Sequence, residues 1–113
     1  MIVTKMEERK KHSTEKGDLF RLLVSGNNIL FQYIELQPKS VIPLHSHVAE
    51  QAGFCLKGEM EYQVEDKTVI VKPNDAYLFQ SNEKHGGKVV GNEKAVLLEI
   101  FSPSRPEVLA QFK

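Results

Sequence analysis

His45 and His47 flank a single serine, Gln51 follows four residues later, and His85 lies far down the chain. All four side chains can offer a lone pair to a metal ion. Two histidines one residue apart on extended backbone point to the same side, roughly 7 Å apart along the chain, so both imidazoles can turn toward one cation. Val48, Ala49 and Glu50 leave enough chain to turn and bring Gln51 in from a neighbouring strand, whereas His85 must be delivered by the fold. A histidine taken singly is more often a surface or hydrogen-bonded core residue, and His12, beside Arg9, Lys10 and Lys11, fits that description. The other three sit in strand-like surroundings bounded by Pro43 and Gly86, and their spacing points to chelation of a divalent ion.

A second chemical signal lies near the end of the chain. In Ala95-Val96-Leu97-Leu98-Glu99-Ile100-Phe101, Glu99 is the only charged residue of an apolar run and shares a face with Leu97 and Phe101. A carboxyl buried there is paired, ligated or functional, and desolvation would raise its pKa toward neutrality, as suits a general acid or base. The alternative is a glutamate at a rim, making a salt bridge. Glu35 shows a weaker version of the same pattern, and Glu50, next to Gln51, could ligate in its place.

These residues need a scaffold of strands. Asp18–Ser25, Ile29–Gln37, Gln51–Leu56, Met60–Glu65, Thr68–Lys72, Ala76–Gln80, Lys88–Val90 and Ala95–Phe101 all have strand character. Gly26-Asn27-Asn28, Lys57-Gly58, Glu65-Asp66, Pro73-Asn74 and Gly91-Asn92 supply turn chemistry between them. Short strands at even spacing without helical periodicity predict an all-β antiparallel barrel or jelly roll. On this reading residues 18–105 form that barrel, residues 1–17 are a polar arm or a strand exchanged with another sheet, and 106–113 are a tail with one short helical turn. Alternation on the Gln51 strand turns Gln51, Gly53 and Cys55 inward and Ala52, Phe54 and Leu56 outward. Cys55 therefore lines the pocket, with an inert core thiol as the alternative. Phe54 and Leu56 need a cover, either the arm or a second copy of the chain.

With 113 residues the chain is one domain, able to bury about two-thirds of its unfolded surface. Fifteen basic and fifteen acidic residues give a formal net charge of zero, which makes nucleic acid and anionic membranes poor partners. One cysteine excludes an intrachain disulfide, and residues 1–13 lack the apolar run of a secretory signal, so a cytoplasmic location is expected.

The motif His45-Ser46-His47-Val48-Ala49-Glu50-Gln51, followed by Gly53 and Gly58, resembles the first motif of the cupin family. Pro73-Asn74-Asp75, a short strand through Phe79, and Lys84-His85 resemble the second, with Asn74 where Gly is usual and Lys84 where Pro is. The resemblance spans about residues 18–105. It implies a double-stranded β-helix, a metal held by His45, His47, Gln51 and His85, and a homodimer paired through sheets. Gly58-Glu59 and Phe101-Ser102-Pro103-Ser104-Arg105 add similarity to the small cupins that include a pectin-degradation protein acting on unsaturated uronates. In that group an acid two residues before a Phe assists ring opening; Glu99 and Phe101 match, with Glu in place of Asp, and Ala49 stands where a further His is often found.

Three neutral imidazoles and a neutral amide would leave a divalent ion its full charge. Imidazole suits Ni, Zn, Fe or Cu, and the amide oxygen leans toward Mn. Three kinds of function fit such a site: a ring-opening isomerase acting on a small carboxylated or sugar-acid ligand, a metal-dependent dioxygenase, or a binding or sensor module without turnover.

Overall fold

The computed structural model describes all residues, 1–113. Ten strands run β1 Lys11–Ser13, β2 Leu19–Ser25, β3 Leu30–Leu36, β4 Val41–His45, β5 Glu50–Lys57, β6 Glu59–Val64, β7 Lys67–Val71, β8 Ala76–Phe79, β9 His85–Val90 and β10 Ala95–Ser102, followed by the helical turn α1, Pro106–Leu109. They form a six-stranded sheet in the order β1-β2-β3-β10-β5-β8 and a four-stranded sheet in the order β4-β9-β6-β7. Every pairing is antiparallel. This is the expected jelly roll.

Two strands escaped the sequence pattern. β4 carries Pro43, which cannot donate to a ladder, and lies at the edge of its sheet, where a missing donor is tolerated. β1 is three polar residues and forms the opposite edge of the larger sheet, pairing with β2 of its own chain through Lys11↔Arg21 and Ser13↔Leu19. The arm is tied further by Thr4 Oγ1 donating to Leu23 O at 2.9 Å and Arg9 Nε donating to Leu22 O at 3.1 Å. It lies beyond β2 and not over β5, so it leaves Phe54 and Leu56 uncovered, 36% and 44% exposed. Strand β9 also starts earlier than its apolar residues suggest, because Gly86 and Gly87 hide its inward pairing against Ile42 and Tyr62.

The main core fills the space between the sheets with Ile34, Leu36, Cys55, Met60, Tyr62, Val71, Phe79, Val89, Ala95 and Leu97. A second cluster closes one end: Val108 and Phe112, one helical turn apart, pack with Leu22, Leu30, Ala49 and Phe101. Residues 106–113 are thus a plug and not a loose tail. Among the turns with left-handed backbone, two belong to the motifs that frame the site. Asn74 has φ 76°, which asparagine tolerates in place of glycine. Gly58 has φ 74°, and a Cβ there would sit 2.4 Å from Lys94 O, so only glycine fits.

Candidate metal centre and adjoining cavity

The three histidines come from the smaller sheet and its exit. His45 ends β4 and faces His85, the first residue of β9, as its cross-strand partner. His47 lies two residues past β4, so the pair does not share one strand as the spacing suggested; the turn at 46–49 aims both rings to the same place. Ring centroids are 5.4 Å apart for His45–His47, 4.4 Å for His45–His85 and 4.9 Å for His47–His85. One nitrogen from each ring lies within 4.8 Å of the others. These three side chains could hold a metal ion.

Each ring is held by its other nitrogen. His45 Nδ1 lies 2.9 Å from Pro43 O, His47 Nδ1 2.7 Å from Ala49 O and His85 Nδ1 2.8 Å from Glu83 O. A carbonyl only accepts, so each Nδ1 carries the proton and each neutral ring keeps its lone pair on Nε2. Burial pushes the pKa of His47 and of His85 below the usual histidine value, which favours the neutral, lone-pair form. His85 is 2% exposed, stacks on Phe79 at 4.1 Å between centroids, and its buried Nε2 has no hydrogen-bond partner. An orphaned imidazole lone pair facing two others is a poor arrangement for a core and a good one for a cation.

Gln51 arrives on β5 of the opposite sheet, buried, with Oε1 3.1 Å from His47 Nε2. With His47 neutral, both facing atoms are acceptors, an arrangement that a positive charge relieves. Gln51 Nε2 donates to Glu99 Oε2 at 2.8 Å, which fixes the amide with its oxygen toward the histidines. Glu50, its neighbour, is exposed and turned away.

Glu99 is 5% exposed on the inward row of β10. Its Oε2 accepts from Gln51 and from Tyr77 Oη at 2.7 Å, and Tyr77 Oη accepts from Tyr62 Oη at 3.0 Å. Desolvation raises the Glu99 pKa above the usual carboxylate value, and the two donors offset only part of that rise. Both tyrosines are pushed well up by burial and by the Glu99 charge, so their hydroxyls stay protonated. Tyr77 reaches Glu99 because residue 53, between them in the sheet, is glycine: a Cβ on Gly53 would lie 2.0 Å from the Tyr77 ring.

A cavity of about 310 Å³ opens beside these groups, lined among others by Gln32, His45, Gln51, Glu99, Phe101 and Arg105. Phe101 meets His47 edge-on at 5.7 Å and carries the Arg105 guanidinium 5.0 Å above its ring. Arg105 also pairs with Glu107 at 2.7 Å. The expected site residues His45, His47, Gln51, His85, Glu99 and Phe101 therefore meet in one place. Cys55 does not: it is fully buried in the main core, away from the cavity lining, donates weakly to Gly58 O at 3.3 Å, and burial raises its pKa. Its inward parity is right, but it sits one pleat too deep. Glu35 faces outward and pairs with Lys94 at 2.9 Å. Gln32, Tyr77 and Arg105 were not singled out as site residues; Gln32 at least was legible, as the one polar residue in the inward row Leu30, Gln32, Ile34, Leu36 of β3.

The family model for the cupin domain matches residues 32–101, more than half of the chain. Among solved structures, KdgF from Halomonas sp. superposes with a TM-score of 0.86 at 18% identity, covering 96% of this chain and 98% of that one. An RmlC-like cupin from Shewanella frigidimarina gives 0.86 at 17% identity over 96% of each chain. The polyketide cyclase RemF from Streptomyces resistomycificus gives 0.77 at 23% identity over 94% and 82%. At these identities the likeness is one of fold.

Proposed function

The chain belongs to the cupin family, and on that premise we propose that it binds one divalent metal ion through His45, His47, Gln51 and His85 and isomerises a small hydroxylated carboxylic acid, with ring opening of an unsaturated uronate as the first reaction to test. The observation that carries this reading is the link from metal ligand to buried acid: Gln51 offers its oxygen to the histidine cluster and its nitrogen to Glu99. A divalent ion held there supplies Lewis-acid polarisation of a carboxylate or hydroxyl oxygen of the ligand. Arg105, stacked over Phe101 at the cavity wall, offers a guanidinium to a carboxylate.

Glu99 then has two tasks on a 4,5-unsaturated uronate. It takes the proton of the anomeric hydroxyl as the bond between C1 and the ring oxygen breaks, leaving an aldehyde at C1 and an enolate at C5. It returns that proton to C4, giving the linear keto form, so the reaction is an isomerisation that consumes nothing. Its raised pKa suits both directions of transfer, and Tyr77 holds the carboxyl in place between them. Phe101 and the plug formed by Val108 and Phe112 limit water at that end.

The test is the absorbance of the 4,5 double bond on adding metal-loaded protein, with elemental analysis of the purified chain. Faster loss with metal than without supports the reading. Uronate binding without turnover would indicate a binding module, and substrate-dependent oxygen consumption would indicate a metal-dependent dioxygenase.

A further inference from the structure

Two buried side-chain polar atoms have no hydrogen-bond partner: His85 Nε2, in the metal cluster, and Gln32 Oε1. The second has no role in the chemistry above. Gln32 is 3% exposed, sits on the inward row of β3, and lines the same cavity as His45, Gln51 and Glu99. Its cross-strand neighbours do not satisfy it: Leu22 on β2 is apolar, and Glu99 on β10, whose Oε2 accepts from Tyr77 and Gln51, makes no hydrogen bond to it. A buried amide oxygen left unpaired is destabilising, and methionine would fill the same space without that penalty. Gln32, a residue of the wall of a ligand-sized cavity, therefore carries an acceptor that needs a donor from outside the chain.

We propose that Gln32 is a specificity residue: its Oε1 accepts a hydrogen bond from a ring hydroxyl of the ligand, and so selects hydroxylated acids over acids that bear only the carboxylate. This rests on the reading of the cavity as the site for a small hydroxylated acid. A site built around an unpaired polar group rejects the ligand that cannot pair it, because the group then stays desolvated in the complex.

The experiment compares two probes, D-galacturonate and tetrahydropyran-2-carboxylate, which keeps the ring and carboxylate but has no hydroxyl, on metal-loaded protein by calorimetry. Gln32→Met keeps the length of the side chain and removes the acceptor. Galacturonate affinity falls about tenfold in the variant, while affinity for the deoxygenated acid and metal stoichiometry stay as in the wild type, and the melting temperature is unchanged or raised. Gln32→Leu repeats the comparison should the methionine variant fold poorly. Unchanged galacturonate affinity in a folded variant, or an equal loss for both acids, overturns the role of Gln32 alone. Wild-type metal-loaded protein that binds neither acid overturns the proposed function, and this inference with it.

Discussion

Two layers of the larger sheet, one pleat apart, have opposite character. In one, Ile34, Leu97 and Cys55 stand side by side across β3, β10 and β5. In the next, Gln32, Glu99, Gly53 and Tyr77 stand side by side across β3, β10, β5 and β8. The first is a wall of apolar volume with every member below 4% exposed. The second buries an amide and a carboxyl at nearly the same depth beside a partly buried phenol, and leaves one of their atoms unpaired. The same three strands continue through both, so neither backbone nor burial distinguishes them. The difference lies in what each brings to its surroundings: Ile34 and Leu97 give the cavity an apolar wall and Cys55 lies in the core, while Gln32 and Glu99 give the cavity polar groups, and Glu99 is tied through Gln51 to the histidine cluster. Polar groups left unpaired would be costly in either layer, and in the second the proposed ligand and ion would complete them.

The largest effect should come from the polar layer and should be one of rate. Glu99→Gln keeps the shape and a hydrogen-bonding oxygen for Tyr77 but cannot take a proton, so uronate turnover falls by about 10²–10⁴, with metal content preserved. Stability should hold or rise, since a desolvated carboxyl has been made neutral. Equal activity in the variant would place proton transfer elsewhere. One pleat away the outcome inverts: Leu97→Ala, at a fully buried position, costs about 2–5 kcal/mol of unfolding free energy. Denaturant titration of both variants side by side measures the contrast directly. A stability loss for Glu99→Gln as large as that of Leu97→Ala would erase the distinction between the layers.

Gly53→Ala probes the seam between the strands of the polar layer. Its Cβ would lie 2.0 Å from Cζ of Tyr77, so the ring must move, at about 1–3 kcal/mol. The hydroxyl then leaves Glu99, and the pH dependence of turnover shifts upward because a donor that favours the carboxylate is lost. Tyr77→Phe should reproduce the pH shift without the strain. If the two variants share neither effect, Tyr77 does not position Glu99.

Reversing the face gives the next contrast. The outward row of β5 and its neighbours exposes Phe54, Leu56 and Leu78, with Phe31, Leu98 and Ile100 lining a shallow groove of about 170 Å³ beside Phe54. We propose that a second copy of the chain covers this face, as the resemblance implied and as the placement of the arm leaves room for. Light scattering at micromolar concentration should give twice the chain mass. Phe54→Glu should weaken that association by at least about tenfold, while metal content stays unchanged. A wild-type monomer would refute the homodimer.

Much of this was legible in the residues, and the misses have physical reasons. Alternation placed Gln51, Gly53 and Cys55 inward and Phe54 and Leu56 outward, and so they lie. Parity gives direction but not depth, which is why Cys55 looked like pocket and is core. β4 was hidden by its proline, and the start of β9 by two glycines, because both signals for strand are side-chain signals. The histidine cluster was visible as a spacing, whereas the carbonyls of Pro43, Ala49 and Glu83 that fix its tautomers are backbone atoms and have no trace in residue type. Tyr77 reaches Glu99 only because residue 53 lacks a side chain, a relation between strands that no linear pattern displays.

The smallest effect separates two carboxyls of one sheet. Glu35 faces out from β3 and Glu99 faces in from β10, and their environments move them in opposite directions. Hydrogen bonds from Lys94 Nζ at 2.9 Å and Tyr33 Oη at 2.7 Å hold the Glu35 carboxyl below the usual carboxylate value, whereas burial lifts Glu99 above it. A carboxyl whose pKa is lower in the folded chain binds fewer protons there than when unfolded, so its contribution is present above the unfolded value, about 4.3, and is lost as pH falls through the folded one. Glu99 has the opposite sign: it favours the folded chain least where it is ionised. Tyr33, pushed up to about 12 chiefly by burial and then by Glu35, keeps its proton and its donated bond through the neutral range. Because Lys94 is 40% exposed, the outward pair is worth no more than about 1 kcal/mol. Glu35→Gln should therefore lower stability slightly at pH 7 and flatten the decline between about pH 5 and pH 3, with turnover untouched. Urea titrations across that range check it. A loss of activity in this variant would tie the two faces of the sheet together, and the division between an outward carboxyl that holds the sheet and an inward one that moves a proton would fail.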